Sequence, residues 1–546
     1  MNLLRTGLAA LVVIALPAAS AAPHTRAIVR AAIGIVRGEA SDGLLVFRGI
    51  PYALPPIGSN RWKPPVPVPA WTGERDATRF AAACFQPKSR PGSIYADEPP
   101  MMSEDCLSLN IWSLPNARKA PVLMWIHGGA LTTGSSSEKL YDGTALSRRG
   151  IIVVSINYRL GVLGYLAHPG LSAESTQGIS GNYGLLDQIE ALRWVKHNIA
   201  AFGGDPSNVT IAGESAGALS VMYLMASPPA RGLFAKAIAE SAYMISTPEL
   251  HESPFGDPPA EASGERLANT VGAKDVAALR AMDAATLTDA AARAGFAPFG
   301  TIDGHLLPRQ LVDVFDRGEQ ARVPILAGFN SGEIRSLRFL APPAPADAPT
   351  YIALIRERYA DLADAFLALY PSTDLAQSVL TAPRDAIYGW TAERLVKKQT
   401  ALGAPAFLYF FDHGYPAADA AGLHAFHASE IPYVFGTADG TPPAWPAVPA
   451  TPAEATLSRA MIDYWAAFAR SGTPVAAHQP AWQPYGSNKA YLAIRGLPQP
   501  ATRLLPGMYE LNEQVVCRRR AKGGIPWNWN IGILSPPLPA EVPQCP

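Results

Sequence analysis

The sequence carries no excess of either charge. Its 546 residues contain 45 Lys and Arg against 45 Asp and Glu, so the formal net charge is +0. Because such a balance creates no broad electrostatic field, we expect neither a nucleic acid nor an anionic membrane surface as a partner. A neutral small molecule is the kind of substrate or ligand that fits this composition.

Long hydrophobic runs are also scarce, and the one at the start of the chain is short. Arg5 precedes an apolar stretch from 7 to 16, which a small-residue cleavage site ending at Ala21 follows. A membrane-spanning helix needs about 20 apolar residues, whereas this pattern is typical of a secretory signal peptide. We therefore expect a signal peptide over residues 1–21, no membrane anchor after cleavage, and a secreted or periplasmic protein.

Cysteine is rare, with four residues in the chain. None of them forms a Cys-x-x-Cys pair, and no cluster of Cys and His has the spacing of metal ligands, so we expect neither a metal site nor a thiol nucleophile. In an exported protein an even count favours disulfides. Proximity in sequence suggests Cys84 with Cys106 and Cys517 with Cys545, although four cysteines allow three connectivities.

Short apolar runs alternate with helix-like stretches. Residues 122–126, 151–156 and 209–212 have the composition of buried strands, and residues 185–199 that of a helix. This alternation predicts an α/β fold with a mostly parallel central sheet flanked by helices. No internal repeat or long linker divides the chain, so we expect residues 22–546 to form a single domain.

The most informative stretch is a Gly-x-Ser-x-Gly motif, Gly213 to Gly217, between a β-branched strand and a helix-like segment. In this context a sharp, strained turn exposes the serine hydroxyl above the sheet. Side chains at Gly213 or Gly217 would collide with the neighbouring strand and helix. Ser215 is therefore the predicted nucleophile. A chance occurrence of the motif in a loop is the alternative, which the flanking strand and helix disfavour.

A serine nucleophile also needs a base and a site that binds the oxyanion. The stretch from His127 to Ala130 follows the strand at 122–126, and its small residues let backbone N–H groups approach a developing oxyanion. An ordinary glycine turn is the alternative. Beside the Ser215 motif, the oxyanion site is the favoured interpretation.

Together with other segments, these motifs resemble the type-B carboxylesterases, the family that includes the cholinesterases and many bacterial esterases. The resemblance implies an α/β-hydrolase fold with helical insertions around the active site. It also implies hydrolysis of small-molecule carboxylic esters without a cofactor. The matching segments cover most of the mature chain and are residues 47–53, 104–110, 182–188, 202–206, 464–469 and 482–485.

The resemblance assigns the acid and the base. Glu333 matches the family's acid in a Gly-x-x-x-x-Glu segment, but Ile334 stands where the family usually has glycine, so we expect a different turn after the acid. His427 matches the base in the segment from 427 to 436. In the implied mechanism His427 accepts the proton of Ser215 while Glu333 orients the imidazolium.

The resemblance further assigns the oxyanion donors to the backbone N–H groups of Gly129, Ala130 and Ala216. Ala130 replaces the more usual third glycine, and its methyl group narrows the wall beside the oxyanion site. We expect this methyl to affect which esters fit rather than whether the reaction proceeds. Cys84 and Cys106 match a loop disulfide of the family.

Several nearby side chains have competing interpretations. His424 and His427 could suggest a metal pair, but no third ligand is spaced nearby, so His424 is expected to be a loop residue. His127 is expected to be structural. Arg335 and Arg338 could meet an acidic acyl group, as in polycarboxylate-decorated natural products such as mycotoxins, although solvated or ion-paired arginines are favoured.

Two other functions remain as alternatives. A lipase acting at oil interfaces is disfavoured because no large apolar lid stands out. A non-catalytic, adhesion-type homologue is disfavoured because all three triad positions are filled. The sequence indicates neither the natural ester nor the oligomeric state.

Overall fold

The computed structural model describes residues 25–545, so the expected signal peptide lies outside the described residues. Within this range thirteen strands form one sheet. The strands are β1 (Thr25–Ala31), β2 (Gly34–Ser41), β3 (Leu44–Pro51), β4 (Glu74–Asp76), β5 (Ser108–Ser113), β6 (Ala120–Ile126), β7 (Ile152–Ile156), β8 (Gly204–Glu214), β9 (Lys236–Glu240), β10 (Ile325–Asn330), β11 (Ala406–Phe411), β12 (Ala490–Arg495) and β13 (Leu497–Thr502).

The centre of the sheet is parallel, and its flanks are antiparallel apart from the parallel pair β2–β4. The strand order is β1-β2-β3-β5-β7-β6-β8-β9-β10-β11-β12-β13, and β4 pairs with β2. Every neighbouring pair from β7 to β12 in this order is parallel. The pairs β1–β2, β2–β3, β3–β5, β5–β7 and β12–β13 are antiparallel. The mostly parallel sheet expected from the sequence is therefore confirmed.

Helices connect the strands, as parallel neighbours require crossover connections. They are α1 (Thr144–Ser147), α2 (Gly161–Tyr165), α3 (Pro169–Glu174), α4 (Tyr183–Asn198), α5 (Ala216–Ala226), α6 (Ala260–Thr270), α7 (Val276–Ala281), α8 (Ala284–Arg293), α9 (Leu311–Asp316), α10 (Glu333–Ser336), α11 (Ala348–Tyr359), α12 (Ala363–Leu369), α13 (Leu375–Arg384), α14 (Trp390–Ala401), α15 (Pro416–Ala420), α16 (Ile431–Phe435), α17 (Pro452–Ser471) and α18 (Met508–Lys522).

The side chains of β6 enter two different cores. Val122, Met124 and Ile126 belong to one core, and Leu123 and Trp125 belong to the other. Because successive side chains of a strand point to opposite faces, each face of the sheet is covered. Helices α4, α5 and α14 contribute to the first core, and α16 and α17 contribute to the second. Burial on both faces explains why β6 is almost entirely apolar.

The expected elements are present with small shifts at their ends. The strands expected at 122–126, 151–156 and 209–212 are β6, β7 and β8, and the helix expected at 185–199 is α4. Helices α6, α7 and α8 follow one another between β9 and β10. The residues Leu457, Met461, Trp465 and Phe468 form a helical stripe on α17 that lies inside the second core.

Both expected disulfides are present. Cys84 is bonded to Cys106 over a sequence separation of 22, and Cys517 to Cys545 over a separation of 28. In residues 25–545 no helix is both long and apolar enough to cross a membrane.

Candidate active site

Ser215 occupies the turn between the central strand β8 and helix α5. Its backbone angles are φ 56° and ψ −121°, outside the regions that most side chains adopt. Residues 209–227 are buried apart from Ser215, which is partly exposed. The fold therefore presents this hydroxyl, and no other side chain of the segment, to a reacting molecule.

The glycines that flank the turn are required by close backbone contacts. A Cβ atom at Gly213 would lie 2.5 Å from the carbonyl carbon of Gly217, and one at Gly217 would lie 2.0 Å from Ile126 O. Both distances are too short for any larger residue. The steric prediction made for this motif is thereby confirmed, and α5 is held directly against the end of β6.

Glu333 and His427 approach one another on the segments that follow the neighbouring strands β10 and β11. Glu333 begins α10 just after β10, and its Oε2 makes a short contact with Nδ1 of His427. The exposed fraction of the side chain is 0% for Glu333 and 6% for His427. Since a buried carboxylate that accepts the Nδ1 proton leaves Nε2 free to accept another, this arrangement prepares His427 to act as a base.

The other carboxylate oxygen of Glu333 is also fixed. Its Oε1 accepts hydrogen bonds from Ser241 Oγ at 2.7 Å and from the backbone N–H of Asn330 at 2.8 Å. Asn330 also donates from Nδ2 to Phe426 O at 2.8 Å. Charge-assisted bonds of this kind hold the acid in one orientation. Ser241 carries no recognisable sequence motif, and the sequence analysis did not identify it.

The Nε2 atom of His427 faces an acidic side chain. His427 Nε2 lies 3.1 Å from Glu214 Oε1. In residues 25–545 no hydrogen bond joins Ser215 Oγ to the imidazole, so proton transfer between the two would require a side-chain movement. Catalytic hydrogen bonds often tighten in this way only when substrate is bound.

Burial controls the charge of the carboxyl groups around the site. Loss of solvent raises the pKa of Glu214 well above its ordinary value, and repulsion from Glu333 raises it further. Burial likewise raises the pKa of Glu430 well above the ordinary value and that of Glu240 to about 8. The geometry therefore favours neutral acids around the Glu333 carboxylate, which lowers the repulsion that adjacent charges would create.

The residues expected to donate to an oxyanion lie in the loop that follows β6 and at the start of α5. A Cβ atom at Gly128 would lie 3.3 Å from Ser215 Cβ, so the loop after β6 lies against Ser215. Gly129 and Ala130 are exposed, and Ala216 is the first residue of α5. In the described part of the chain none of these three N–H groups donates to a protein acceptor. They are available to an anion, and the N-terminus of α5 adds its positive partial charge.

Left-handed backbone shapes this loop. Gly129 has φ 95°, and Ala130 and Leu131 have φ 55° and 58°. The tight turn is closed by Gly129 O, which accepts from the N–H groups of Thr132 and Thr133 at 2.9 Å. Ala130 therefore occupies a conformation that glycine adopts more easily.

The other two histidines near the site are engaged elsewhere. His424 contacts Asp419 Oδ1 through Nδ1 at 2.8 Å and Asp412 Oδ1 through Nε2 at 3.2 Å, and the bond to Asp412 is the main cause of its raised pKa. His127 donates from Nδ1 to Gly128 O at 2.9 Å, and burial lowers its pKa to about 4. His424 therefore has an aspartate on each ring nitrogen and His127 bonds a backbone carbonyl, so neither ring repeats the pairing of a buried glutamate with Nδ1 found at His427.

The two arginines that follow the acid differ in their surroundings. Arg335 donates to Gly422 O at 3.1 Å and to Gln377 Oε1 at 2.9 Å. Arg338 is exposed, and within residues 25–545 it forms no ion pair. Arg335 is thus already bound, and Arg338 is the one available to an outside group.

A serine on a strand-to-helix turn, a buried carboxylate–imidazole pair and unoccupied backbone donors define a serine hydrolase that acts on acyl compounds. Comparison with known proteins identifies the family within this class. The sequence profile of the Carboxylesterase family matches residues 25–506. The chain belongs to this family and is a carboxylic ester hydrolase.

Individual relatives agree with the family assignment. The chain is 39% identical to Fumonisin B1 esterase of Sphingopyxis macrogoltabida over 439 residues, which cover 77% of each chain. It is 35% identical to Para-nitrobenzyl esterase of Bacillus subtilis (strain 168), covering 82% of this chain and 91% of the other. A Geobacillus stearothermophilus carboxylesterase structure aligns with a TM-score of 0.76 and 34% identity, over 89% of this chain and 99% of that one. The expected α/β-hydrolase fold is thereby confirmed.

Proposed function

We propose that this chain hydrolyses carboxylic esters through an acyl-enzyme on Ser215, with His427 as base and Glu333 as its orienting acid. The buried contact of Glu333 with His427 Nδ1 is the observation that best supports the assignment. As Ser215 Oγ attacks the ester carbonyl, His427 Nε2 takes its proton and then gives it to the departing alcohol. Water then attacks the acyl group by the same route.

Three backbone N–H groups stabilise the negative charge that develops on the carbonyl oxygen. They belong to Gly129, Ala130 and Ala216, and each is left without a protein acceptor in the described structure. Preorganised donors of this kind need no rearrangement when the charge forms, which is why they lower the barrier effectively. The reaction requires no cofactor.

Rapid-mixing kinetics test the acyl-enzyme. With a p-nitrophenyl ester, we expect a burst of nitrophenolate of about one equivalent per enzyme followed by a slower steady state. Ser215→Ala should abolish the burst without changing thermal stability. Full steady-state activity in Ser215→Ala would contradict the proposal.

We infer that esters with several carboxylates, including fumonisin B1, are candidate substrates. The 39% identity to Fumonisin B1 esterase supports this choice. The side chain of Arg338 also supports it, because it follows α10 shortly after Glu333, is exposed and forms no ion pair within residues 25–545. A screen of esters that vary in acyl charge and size tests it. Equal kcat/KM for neutral and polyanionic acyl groups, or a rate that rises only at an oil interface, would favour a general esterase or a lipase instead.

We also propose that the protein is exported. The leader-like residues 1–21 and the two disulfides support export, since disulfides persist in oxidising compartments. N-terminal sequencing of the protein made by its natural host should find Ala22 first. An N-terminus that still carries residues 1–21 would contradict export by cleavage.

A further inference from the structure

His427 lies in a loop whose backbone is strained. The residue that follows it, Ala428, has φ 67° although it is a buried alanine, and His424 has φ 52°. Such conformations cost on the order of 1–3 kcal/mol each and persist only where surrounding contacts enforce them. The orientation of the imidazole therefore depends on the contacts that other segments make with the backbone of this loop.

One of these contacts comes from a distant part of the chain. Tyr95 belongs to the loop closed by the disulfide between Cys84 and Cys106, and its hydroxyl donates to the carbonyl oxygen of His427 at 2.9 Å. The same hydroxyl lies 2.7 Å from Ser336 Oγ. Ser336 Oγ in turn accepts from the backbone N–H of His427 at 3.3 Å. Both polar groups of the His427 peptide backbone are thus occupied.

The hydroxyl of Tyr95 is within donating distance of both His427 O and Ser336 Oγ, and its single proton serves these two acceptors. Ser336 Oγ accepts from His427 N–H and donates to Glu333 O at 3.4 Å. Because Ser336 ends α10, which begins at Glu333, the same small network also joins the acid to the base.

Aromatic packing supports the same contact. The ring of Tyr95 lies 5.7 Å from that of Trp445 at 82°, and Trp445 lies 4.8 Å from Phe426, the residue before His427. Tyr95 and His427 themselves are 6.5 Å apart at 79°. Edge-to-face contacts of this kind favour one relative orientation of the rings. Tyr95 therefore holds the loop through its ring as well as through its hydroxyl.

We propose that Tyr95 is a positioning residue for the base: its hydroxyl, joined to Ser336, fixes the backbone of His427 so that the imidazole stays between Glu333 and the nucleophile. The proposal rests on the function of His427 given above. It gives the disulfide loop a part in catalysis that does not require contact with the substrate.

The decisive variants are Tyr95→Phe, which keeps the ring and removes the hydroxyl, and Ser336→Ala, which removes its partner. Losing one such hydrogen bond should lower kcat about fivefold and leave KM nearly unchanged. Tyr351→Phe is the matched control, because Tyr351 is buried and its hydroxyl also donates to a backbone carbonyl, Tyr370 O at 2.9 Å, in a separate core. We expect wild-type kcat from the control.

A double-mutant cycle separates positioning from other roles. If Tyr95 acts through the imidazole, Tyr95→Phe should change kcat by less than about twofold once His427 is alanine. The same fivefold loss in both backgrounds, a loss in KM alone, or an equal loss in Tyr351→Phe would overturn the proposal. Should Tyr95→Phe fold poorly, Ser336→Ala in the same cycle decides the matter. Undiminished activity in His427→Ala alone would instead refute the proposed function itself.

Discussion

Gly129→Ala should disable the oxyanion site while leaving the triad in place. The new Cβ atom would lie 2.2 Å from Thr133 O and 2.8 Å from Thr133 Oγ1, and the residue would have to keep φ 95°. The closest obstacle is backbone rather than the end of a flexible side chain, so the loop itself must move. Its movement carries the Gly129 N–H away from the developing oxyanion. Removal of one donor typically costs about 10²- to 10³-fold in kcat, which is the loss we expect.

The control is the replacement of the neighbouring alanine by glycine. Ala130→Gly keeps its N–H group, and glycine adopts φ 55° readily, so activity on the best substrate should survive. The missing methyl should shift preference among esters of different bulk by about 10- to 200-fold. Steady-state kinetics on linear and branched p-nitrophenyl esters measure both variants. A Gly129→Ala kcat within threefold of wild type, or a uniform loss in Ala130→Gly, would refute this account of the loop.

Three further predictions concern the base, a disulfide and a buried acid. His427→Ala should lose about 10³-fold or more in kcat while His424→Ala keeps most of it, and equal losses would contradict the assignment of the base. Replacing Cys517 and Cys545 by serine should lower the free energy of unfolding by about 2–4 kcal/mol, as urea denaturation measures; no change would show that the bridge is dispensable. Glu240, whose pKa burial raises to about 8, favours folding most when protonated, so its contribution is full below the unfolded pKa near 4.5 and declines as the pH rises towards 8. The stability of Glu240→Gln relative to wild type should therefore increase by up to about 1.4 kcal/mol per pH unit in that window, and a pH-independent difference would contradict it.

Local patterns predicted much of the fold and site. The alternation of apolar runs with helical stretches predicted the parallel centre of the sheet, since each β–α unit is recognisable within a short segment. The Ser215 turn was equally local, because Gly213 and Gly217 are required by contacts of that turn. Glu333 and His427 carry weaker local patterns, and only resemblance to a family could join them to Ser215.

Other features of the site could not be predicted because they depend on packing between distant segments. Ser241 reaches Glu333 only because β9 and β10 are adjacent in the sheet. Tyr95 reaches His427 across more than three hundred residues, and nothing in its own segment indicates a partner. The position of Glu214 beside His427 Nε2 likewise follows from the fold.

Covalent labelling of the nucleophile tests the central claim most directly. A fluorophosphonate reacts with an activated serine, so mass spectrometry of the inactivated enzyme should find one adduct per chain, on the peptide that contains Ser215. Labelling should slow strongly in His427→Ala, whose Ser215 lacks its base, and should proceed normally in His424→Ala. An adduct on another residue that abolishes activity, or full activity after complete modification of Ser215, would contradict the account.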